Sequence, residues 1–343
     1  MTIHFKKAEE WFTFYDGQGN LIERKTEIRF DPLTGESSRL VFDAGLSPVL
    51  PNYTEAAEQS GGKNCPFCPE NILKMTPVFP KEITFDDRIT QGEAIVFPNL
   101  FPYSKHNGVV VFSGQHYVRL EEFTTQLIKN AFIAAQTYIQ NVIKTDSKVS
   151  FASINWNYLP ESGGSILHPH LHVIASESPT NYQAITNEKE NQYKKENGTE
   201  YFSDLYETEK TLDERWIGEC DSVAWVHAYA PKSHNDFIGI FTQASNIHNI
   251  TEQDWLSFSE SLTKIFATLN DQGFASFNLS LHVSTDPEAK QPIHVRLIPR
   301  LTIGQLETSD INFFQALHQE PLTYKSPEDI TRKAHAHFNS RIK

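Results

Sequence analysis

His168-Pro169-His170-Leu171-His172 is the stretch on which the reading of the fold turns, and Val173-Ile174-Ala175 extends it as an apolar run. In an extended strand, residues i, i+2 and i+4 share a face. The three imidazoles then line one surface, while Leu171 and Val173 fill the other. Such a surface can offer one ligand a metal-binding nitrogen, a nucleophile and a proton donor. The plainer alternative is a structural or adventitious metal site, or three surface histidines. The rest of the chain bears on that choice.

Upstream, Ala94-Ile95-Val96-Phe97 reads as a short apolar strand ended by Pro98-Asn99, and Gly108-Val109-Val110-Val111-Phe112 as a β-branched one. Apolar positions at Phe123, Leu127, Ile128, Ala131, Phe132, Ala135, Ile139 and Val142 predict a helix over 121–143. Residues 149–156 are strand-like, and the loop 157–165 leads into the histidine strand. The second half repeats this order. Strands are expected at 222–227 and 237–241, then a helix over 251–269 opened by Thr251 with Asp254 three residues on. Further strands follow at 276–283 and 292–299. His170-Leu171-His172-Val173-Ile174 aligns with His294-Val295-Arg296-Leu297-Ile298. The expected architecture is α+β and duplicated.

The flanks are less regular. Residues 1–60 suggest irregular chain with short strands, and Glu27–Glu36 a strand turning at Pro32 and Gly35. The polar segment 180–215 reads as a surface excursion or an inter-lobe connection, with a disordered loop as the alternative. The 343 residues carry a formal net charge of −13, which repels nucleic-acid phosphates and argues against a polynucleotide partner. There is no run of about 18 apolar residues for a membrane span, and Met1–Lys7 lacks the apolar centre of a signal peptide. Only three cysteines are present, two of them in one CxxC, so a disulfide scaffold is disfavoured and a cytoplasmic protein is expected.

That CxxC is Cys65-Pro66-Phe67-Cys68, after a flexible Gly61-Gly62-Lys63-Asn64 lead-in. Two thiolates at this spacing can chelate one tetrahedral ion. A redox pair is the rival reading, but it wants a buried strand just before the motif. His116, after the strand 108–112, and His168 are candidates to complete a Cys2His2 site that staples the N-terminal segment to the first lobe. Cys220 has no partner and reads as a core or surface thiol.

With His168 bound to an ion, His170 is left as a nucleophile, since a neutral imidazole is available near neutral pH. Attack on phosphorus gives a phospho-imidazole intermediate and needs donors for the non-bridging oxygens. Ser162-Gly163-Gly164-Ser165 lies just upstream. Its glycines allow close backbone approach and its hydroxyls can donate, so it reads as a phosphate cradle or as an ordinary glycine-rich turn.

Together these residues resemble galactose-1-phosphate uridylyltransferase and its relatives in the histidine-triad (HIT-like) superfamily. The matching signatures are Arg29-Phe30-Asp31-Pro32-Leu33-Thr34-Gly35-Glu36, Cys65-Pro66-Phe67-Cys68-Pro69-Glu70-Asn71, Asn99, His116, and Asn157…Ser165…His168-Pro169-His170. The resemblance spans about residues 25–300. It implies two tandem HIT-like lobes, each an antiparallel sheet with helices, and a zinc-stapled N-terminal segment. The expected divisions are 1–180 for the first lobe, 181–215 for the connection and 216–343 for a degenerate second lobe. The resemblance implies zinc on Cys65, Cys68, His116 and His168, and a nucleotidyl group on His170. It also implies Ser165 at the α-phosphate, Asn99 near the ribose, Asn157, Gly163 and Gly164 around the substrate, and a homodimer.

The departures are specific. His172 stands where the family usually has Gln, which restores a full histidine triad. Asn99-Leu100 replaces Asn-Asp, and Asp43-Ala44-Gly45-Leu46-Ser47-Pro48 replaces an arginine-rich segment. His294-Val295-Arg296 replaces a second His-x-His, leaving His282 as a possible remnant of a second metal site, and Phe313–Glu320 does not match a sugar-binding end. The expected activity is transfer of a nucleoside monophosphate from a nucleotide or nucleotide sugar through His170, with His172 and Ser165 assisting, to a phosphate-bearing acceptor. The alternatives are a histidine-triad hydrolase or phosphorylase, favoured by His172, and a zinc-stapled nucleotide-binding protein without turnover.

Overall fold

Ten strands form one continuous antiparallel sheet; the computed structural model describes residues 3–42 and 48–339. Across the sheet the order is Trp216–Cys220, Val223–His227, Phe237–Phe241, His294–Arg300, Ser276–Ser284, Phe151–Tyr158, His170–Ser176, His106–Val111, Ala94–Pro98 and Ile89–Gln91. Each half runs outward from the centre as the fourth, fifth, third, second and first strand of its lobe. The halves meet where Phe151–Tyr158 pairs with Ser276–Ser284, Asn155 opposite Ser280. Register repeats as well as order. Val111 faces His170 as Ile240 faces His294, and Asn155 faces His172 as Ser280 faces Arg296. The expected duplication is therefore present in the topology, with His294 at the position of His170 and Arg296 at that of His172.

The helices Thr125–Thr145 and Glu252–Asp271 pack side by side on one face of the sheet. Thr124 and Thr251 cap them by accepting from the amides of Leu127 and Asp254, as the sequence predicts for Thr251. Leu171, Val173 and Ala175 are fully buried in the core this face forms. The core is aromatic: Trp156 lies 4.5 Å from Phe112, 5.0 Å from Phe123 and 5.0 Å from Phe277, ring centre to ring centre. Truncating such a ring costs about 3–5 kcal/mol. Gln136 joins the lobes: its Nε2 donates to the carbonyls of Ile247 and Ile250 at 2.9 and 3.0 Å, and its Oε1 accepts from Trp255 Nε1 at 2.7 Å.

The other face of the sheet is covered unequally. Over the second lobe lie the helices Asn181–Asn197 and Tyr201–Leu212, where the sequence suggests a polar connection. Tyr201, Phe202 and Leu205 pack there with Trp216, Ala224, Val226, Ile238 and Ile240. Three or four apolar anchors per helix on a highly charged background are too sparse for a periodicity argument, and the partner face is supplied from elsewhere in the chain. The N-terminal region also differs from expectation. Lys6–Tyr15 and Leu21–Phe30 are long strands forming a hairpin, joined by Ser37–Val41 and, in parallel, Leu322–Thr323. Most of Lys6–Tyr15 is exposed, so no in–out alternation marks it. Among the described residues, no helix is long and apolar enough to cross a membrane.

Candidate metal centre and active site

Cys65, Cys68, His116 and His168 converge from three separate places in the chain, with all their ligand atoms within 4.8 Å of one another. Cys68 Sγ lies 3.6 Å from His116 Nδ1 and 3.7 Å from His168 Nδ1, and Cys65 Sγ lies 3.7 Å from His168 Nδ1. A tetrahedral ion with Zn–S of about 2.3 Å and Zn–N of about 2.0–2.1 Å sets sulfur and nitrogen about 3.6 Å apart, so the donor set fits. Both imidazoles would bind through Nδ1. Their other nitrogens are placed at 2.7 Å from the Ser113 carbonyl for His168 and 3.1 Å from Ser60 Oγ for His116. Such outer partners fix ring orientation at metal sites.

The local chain is built for this convergence. Asn71 Nδ2 donates to the carbonyls of Gly62, Lys63 and Cys65, and the Phe67 amide donates to Cys65 Sγ. The supposedly flexible lead-in is a tight turn, Gly62–Asn64. A Cβ at Gly61 would sit 3.2 Å from the His116 ring, so glycine lets that ring approach. Burial pushes the Cys65 thiol up to about 11, opposite to the lowered pKa of a redox-active CxxC.

His170 begins the next strand, on the same face. Its Nδ1 lies 2.8 Å from the His168 carbonyl oxygen, which leaves Nε2 as the lone-pair nitrogen. Burial lowers its pKa, so the ring is held neutral. Phe67, inside the CxxC, touches both rings edge-on, at 5.3 Å from His170 and 6.2 Å from His168. His172 lies 5.2 Å from His170 and 5.4 Å from the exposed ring of Tyr103, and burial lowers it to about 4. Its Nδ1 is buried without a hydrogen-bond partner. The structure thus brings the three histidines together on one face.

The glycine turn spends its own backbone donors locally. The Gly163 and Gly164 amides donate to the carbonyls of Pro160 and Leu159, and Ser162 Oγ donates to the Leu159 carbonyl. Those donors are consumed within the turn. Gly163 has φ +87°, and a Cβ at Gly164 would sit 2.9 Å from the Leu159 oxygen, so the glycines serve its shape. Ser165 remains exposed at its end. Asn99 donates through Nδ2 to Asn107 Oδ1 and accepts from the Phe101 amide, which orders the exposed loop carrying Leu100, Phe101 and Tyr103. Asn157 accepts from Asn278 Nδ2 of the second lobe at 2.8 Å.

Asn155, Asn278, Ser280 and Tyr103 belong to this surface and escaped the sequence reading. For Asn155 a signal exists: Asn155 and Asn157 alternate on a strand that must pair with the histidine strand. The second lobe's counterpart is closed. Phe202 stacks on His294 at 4.1 Å, and Arg296 is held by Asp236, with Nε and Nη2 each 2.7 Å from a carboxylate oxygen. His282 lies 5.3 Å from His294, but among the described residues the Cys2His2 group is the one cluster of such side chains close enough to share an ion. The stretch Asp43-Ala44-Gly45-Leu46-Ser47, where an arginine-rich segment is replaced, lies outside the described residues. Arg29 of the upstream motif is buried, paired with Glu27 and, in a two-point contact, with Glu328.

No family model matches the sequence. Solved structures do share the fold. A GalT-like protein from Arabidopsis thaliana superposes with a TM-score of 0.68 at 17% identity, over 90% of this chain and 98% of that one. An ADP-glucose phosphorylase from Arabidopsis thaliana, solved with ADP-glucose bound, gives 0.68 at 16% identity over 90% and 98%. A uridylyltransferase gives 0.68 at 16% identity over 92% and 99%. An uncharacterized protein of Archaeoglobus fulgidus is 31% identical over 331 residues, covering 96% of this chain and 98% of its own. The chain therefore belongs to one family with that archaeal protein, and it shares the fold of the GalT-like protein and the uridylyltransferase.

Proposed function

We propose that this chain transfers a nucleoside monophosphate through a covalent intermediate on His170 to a phosphate-bearing acceptor. The observation that carries the reading is the 2.8 Å contact of His170 Nδ1 with the His168 carbonyl, which leaves the lone pair on Nε2 for attack. In the first half-reaction, Nε2 forms a P–N bond to the α-phosphorus, and the P–O bond to the leaving group breaks. The leaving group departs with those electrons as a phosphate-terminated anion. The Nδ1–H stays on the ring, and its bond to the carbonyl stabilises the positive charge that the phosphorylated imidazole carries. In the second half-reaction, an acceptor phosphate oxygen forms the new P–O bond, the P–N bond breaks and His170 returns neutral.

The surrounding groups fit this course. His172 sits beside His170 with an unengaged nitrogen, placed to donate to phosphoryl oxygens or to the departing group when protonated. Ser165, exposed at the end of the turn, would donate its hydroxyl, and Asn157 would donate through Nδ2. The metal is read as zinc on Cys65, Cys68, His116 and His168. Four protein ligands leave no open position, so it would fix the CxxC segment and Phe67 against the histidine strand rather than act on substrate. The shared fold with an ADP-glucose phosphorylase and a uridylyltransferase supports nucleotide sugars as donors.

His172 favours a second reading, a hydrolase or phosphorylase, because an imidazole can assist water or phosphate where Gln cannot. Incubation with UDP-glucose or ADP-glucose, followed by mass spectrometry of the intact chain, tests the main reading. One nucleotidyl adduct per chain, removed by a sugar phosphate, is the expected result. Release of free nucleoside monophosphate without dependence on an acceptor would favour hydrolysis, and absence of any adduct or turnover would overturn both.

A further inference from the structure

Arg300 and Asp310, both in the second lobe, stand at the head of a row of hydrogen bonds that ends beside His170. They are joined at two points, Arg300 Nε to Asp310 Oδ2 and Nη2 to Oδ1, each at 2.9 Å, and the Asp310 carboxylate is buried. The third guanidinium nitrogen, Nη1, donates to Asn278 Oδ1 at 3.1 Å. Asn278 Nδ2 donates twice in turn, to Asn157 Oδ1 at 2.8 Å and to the Ser162 carbonyl at 2.9 Å. Asn278 and Asn157 face each other across the junction of the lobes. On its other side the strand of Asn157 pairs with the histidine strand, Asn155 opposite His172. The same register carried two residues on sets Asn157 opposite His170.

An amide has one end that donates and one that accepts, and its neighbours decide which end goes where. A guanidinium only donates. The end of Asn278 that meets Arg300 must therefore be its oxygen, and the NH2 end is left for Asn157 and Ser162. That NH2 requires the oxygen of Asn157, which turns the Asn157 Nδ2 away from the second lobe. The other Asn278 proton goes to the Ser162 carbonyl and pins the turn that leads to Ser165. Each bond in such a row polarises the next, and the buried Asp310 carboxylate sets the sense of the whole row. Without Arg300, nothing at the outer end of Asn278 selects this orientation over its reverse. A reversed Asn157 would set a carbonyl oxygen where phosphoryl oxygens need a donor, and their negative charge must be met by donors as the P–N bond forms.

We propose that Arg300 is a positioning residue: acting through Asn278, it fixes Asn157 as a donor toward the phosphoryl oxygens at His170 and anchors the turn that carries Ser165. The inference rests on reading His170 as the nucleophile. It gives the second lobe, whose own histidine is capped by Phe202, a part in the chemistry of the first. Arg300 itself reaches the reacting groups only through two intervening amides.

Two measurements on the full chain test this, and the first needs no turnover. In protein carrying 15N-labelled asparagine, the side-chain NH2 resonances of Asn278 are assigned by their loss in Asn278→Ala. Held by two acceptors, these protons should exchange slowly with water. Arg300→Met combined with Asp310→Asn removes both charges together, so that neither is left buried and unpaired. In that variant the exchange should quicken by about tenfold or more. Unchanged exchange overturns the proposal. The second measurement follows the nucleotidyl adduct formed from UDP-glucose or ADP-glucose. Asn278→Ala, which leaves the Arg300–Asp310 pair intact, and the paired variant should each slow the adduct at saturating donor by about tenfold. The donor concentration for half-saturation should change by less than about twofold. Asn157→Ala should also slow the adduct, and adding Asn278→Ala to it should cost far less than the product of the two losses. An unchanged adduct rate, or losses that multiply in full, overturns the proposal. If the unaltered protein forms no adduct, the transfer reading falls and takes the catalytic half of this proposal with it, while the exchange measurement still decides whether Arg300 orients the two amides.

Discussion

His170 Nδ1 lies 2.8 Å from the backbone carbonyl oxygen of His168, whose own Nδ1 faces the sulfurs of Cys65 and Cys68 at 3.7 Å. One residue would thus serve a metal with its side chain and orient the proposed nucleophile with its backbone. Loss of the metal should be felt at His170 although no ligand touches substrate. Purified protein is expected to hold close to one zinc per chain. Cys65→Ser combined with Cys68→Ser should lose it, lower the melting temperature, and slow adduct formation by roughly 10–100-fold, the usual scale for disturbed metal surroundings. Full zinc occupancy in the double variant would refute the ligand assignment. A normal adduct rate in the zinc-free variant would refute the coupling.

Replacing His170 by Gly separates chemistry from structure. The side chain lies on the face of the sheet opposite the helical core, against Phe67, while Leu171 and Val173 pack into that core. Zinc content and melting temperature should stay near those of the unaltered protein, and the nucleotidyl adduct should vanish. A persisting adduct of the same mass would move the nucleophile elsewhere, and peptide mapping would locate it.

The legibility of this protein in its sequence followed burial. Leu171 and Val173 are fully buried and alternate with His170 and His172 on the opposite face, and period-two alternation of that kind survives in a single sequence. The strand at 237–241 was legible as a short apolar run, buried on both faces, and the helix opened by Thr251 by its cap. Residues of the metal site were legible because CxxC spacing and alternating histidines are local patterns. What was hidden depends on distant partners. Phe202 gives no sign in sequence that it caps His294, and Arg29 none that it pairs with Glu328 across nearly the whole chain. The glycine turn illustrates a subtler limit: composition suggested donors, and only geometry shows them spent on Pro160 and Leu159.

Glu190 offers a test by pH. It lines the polar cavity between the helix Asn181–Asn197 and the second lobe, near Glu200, and its Oε1 is buried without a hydrogen-bond partner. Burial, with repulsion from Glu200, raises its pKa to about 8. In the unfolded chain a glutamate titrates near about 4.3. Between those values the folded state holds a proton that the unfolded state has released. Its contribution therefore makes stability fall as pH rises through this window and level off above about 8. Glu190→Gln removes the titration, so the difference between variant and unaltered protein should grow from near zero at pH 5 to a gain on the order of 1–3 kcal/mol at pH 8.5. Denaturant titrations across that range measure it, and a difference independent of pH would place the Glu190 pKa near its ordinary value.

His172 offers a test of how the proposed intermediate would be resolved. Its ring is 5.2 Å from that of His170, with Nδ1 buried and unengaged, and burial lowers its pKa to about 4. In the free protein near neutral pH it is therefore an uncharged imidazole, able to accept a proton from water or donate one from its other nitrogen. A glutamine at this position can hold phosphoryl oxygens but cannot take up a proton from an attacking water. The expectation is that water competes with the sugar-phosphate acceptor for the nucleotidyl group on His170, and that His172→Gln shifts the partition toward transfer by about tenfold, the lower part of the range for a general base. The measurement is single-turnover: the isolated adduct is mixed with buffer or with a saturating sugar phosphate, and free nucleoside monophosphate is compared with the nucleotide-sugar product. Because both paths start from the same adduct, a general loss of activity cancels in the ratio. An unchanged ratio would make His172 a packing residue against Tyr103 rather than the group that sets acceptor choice.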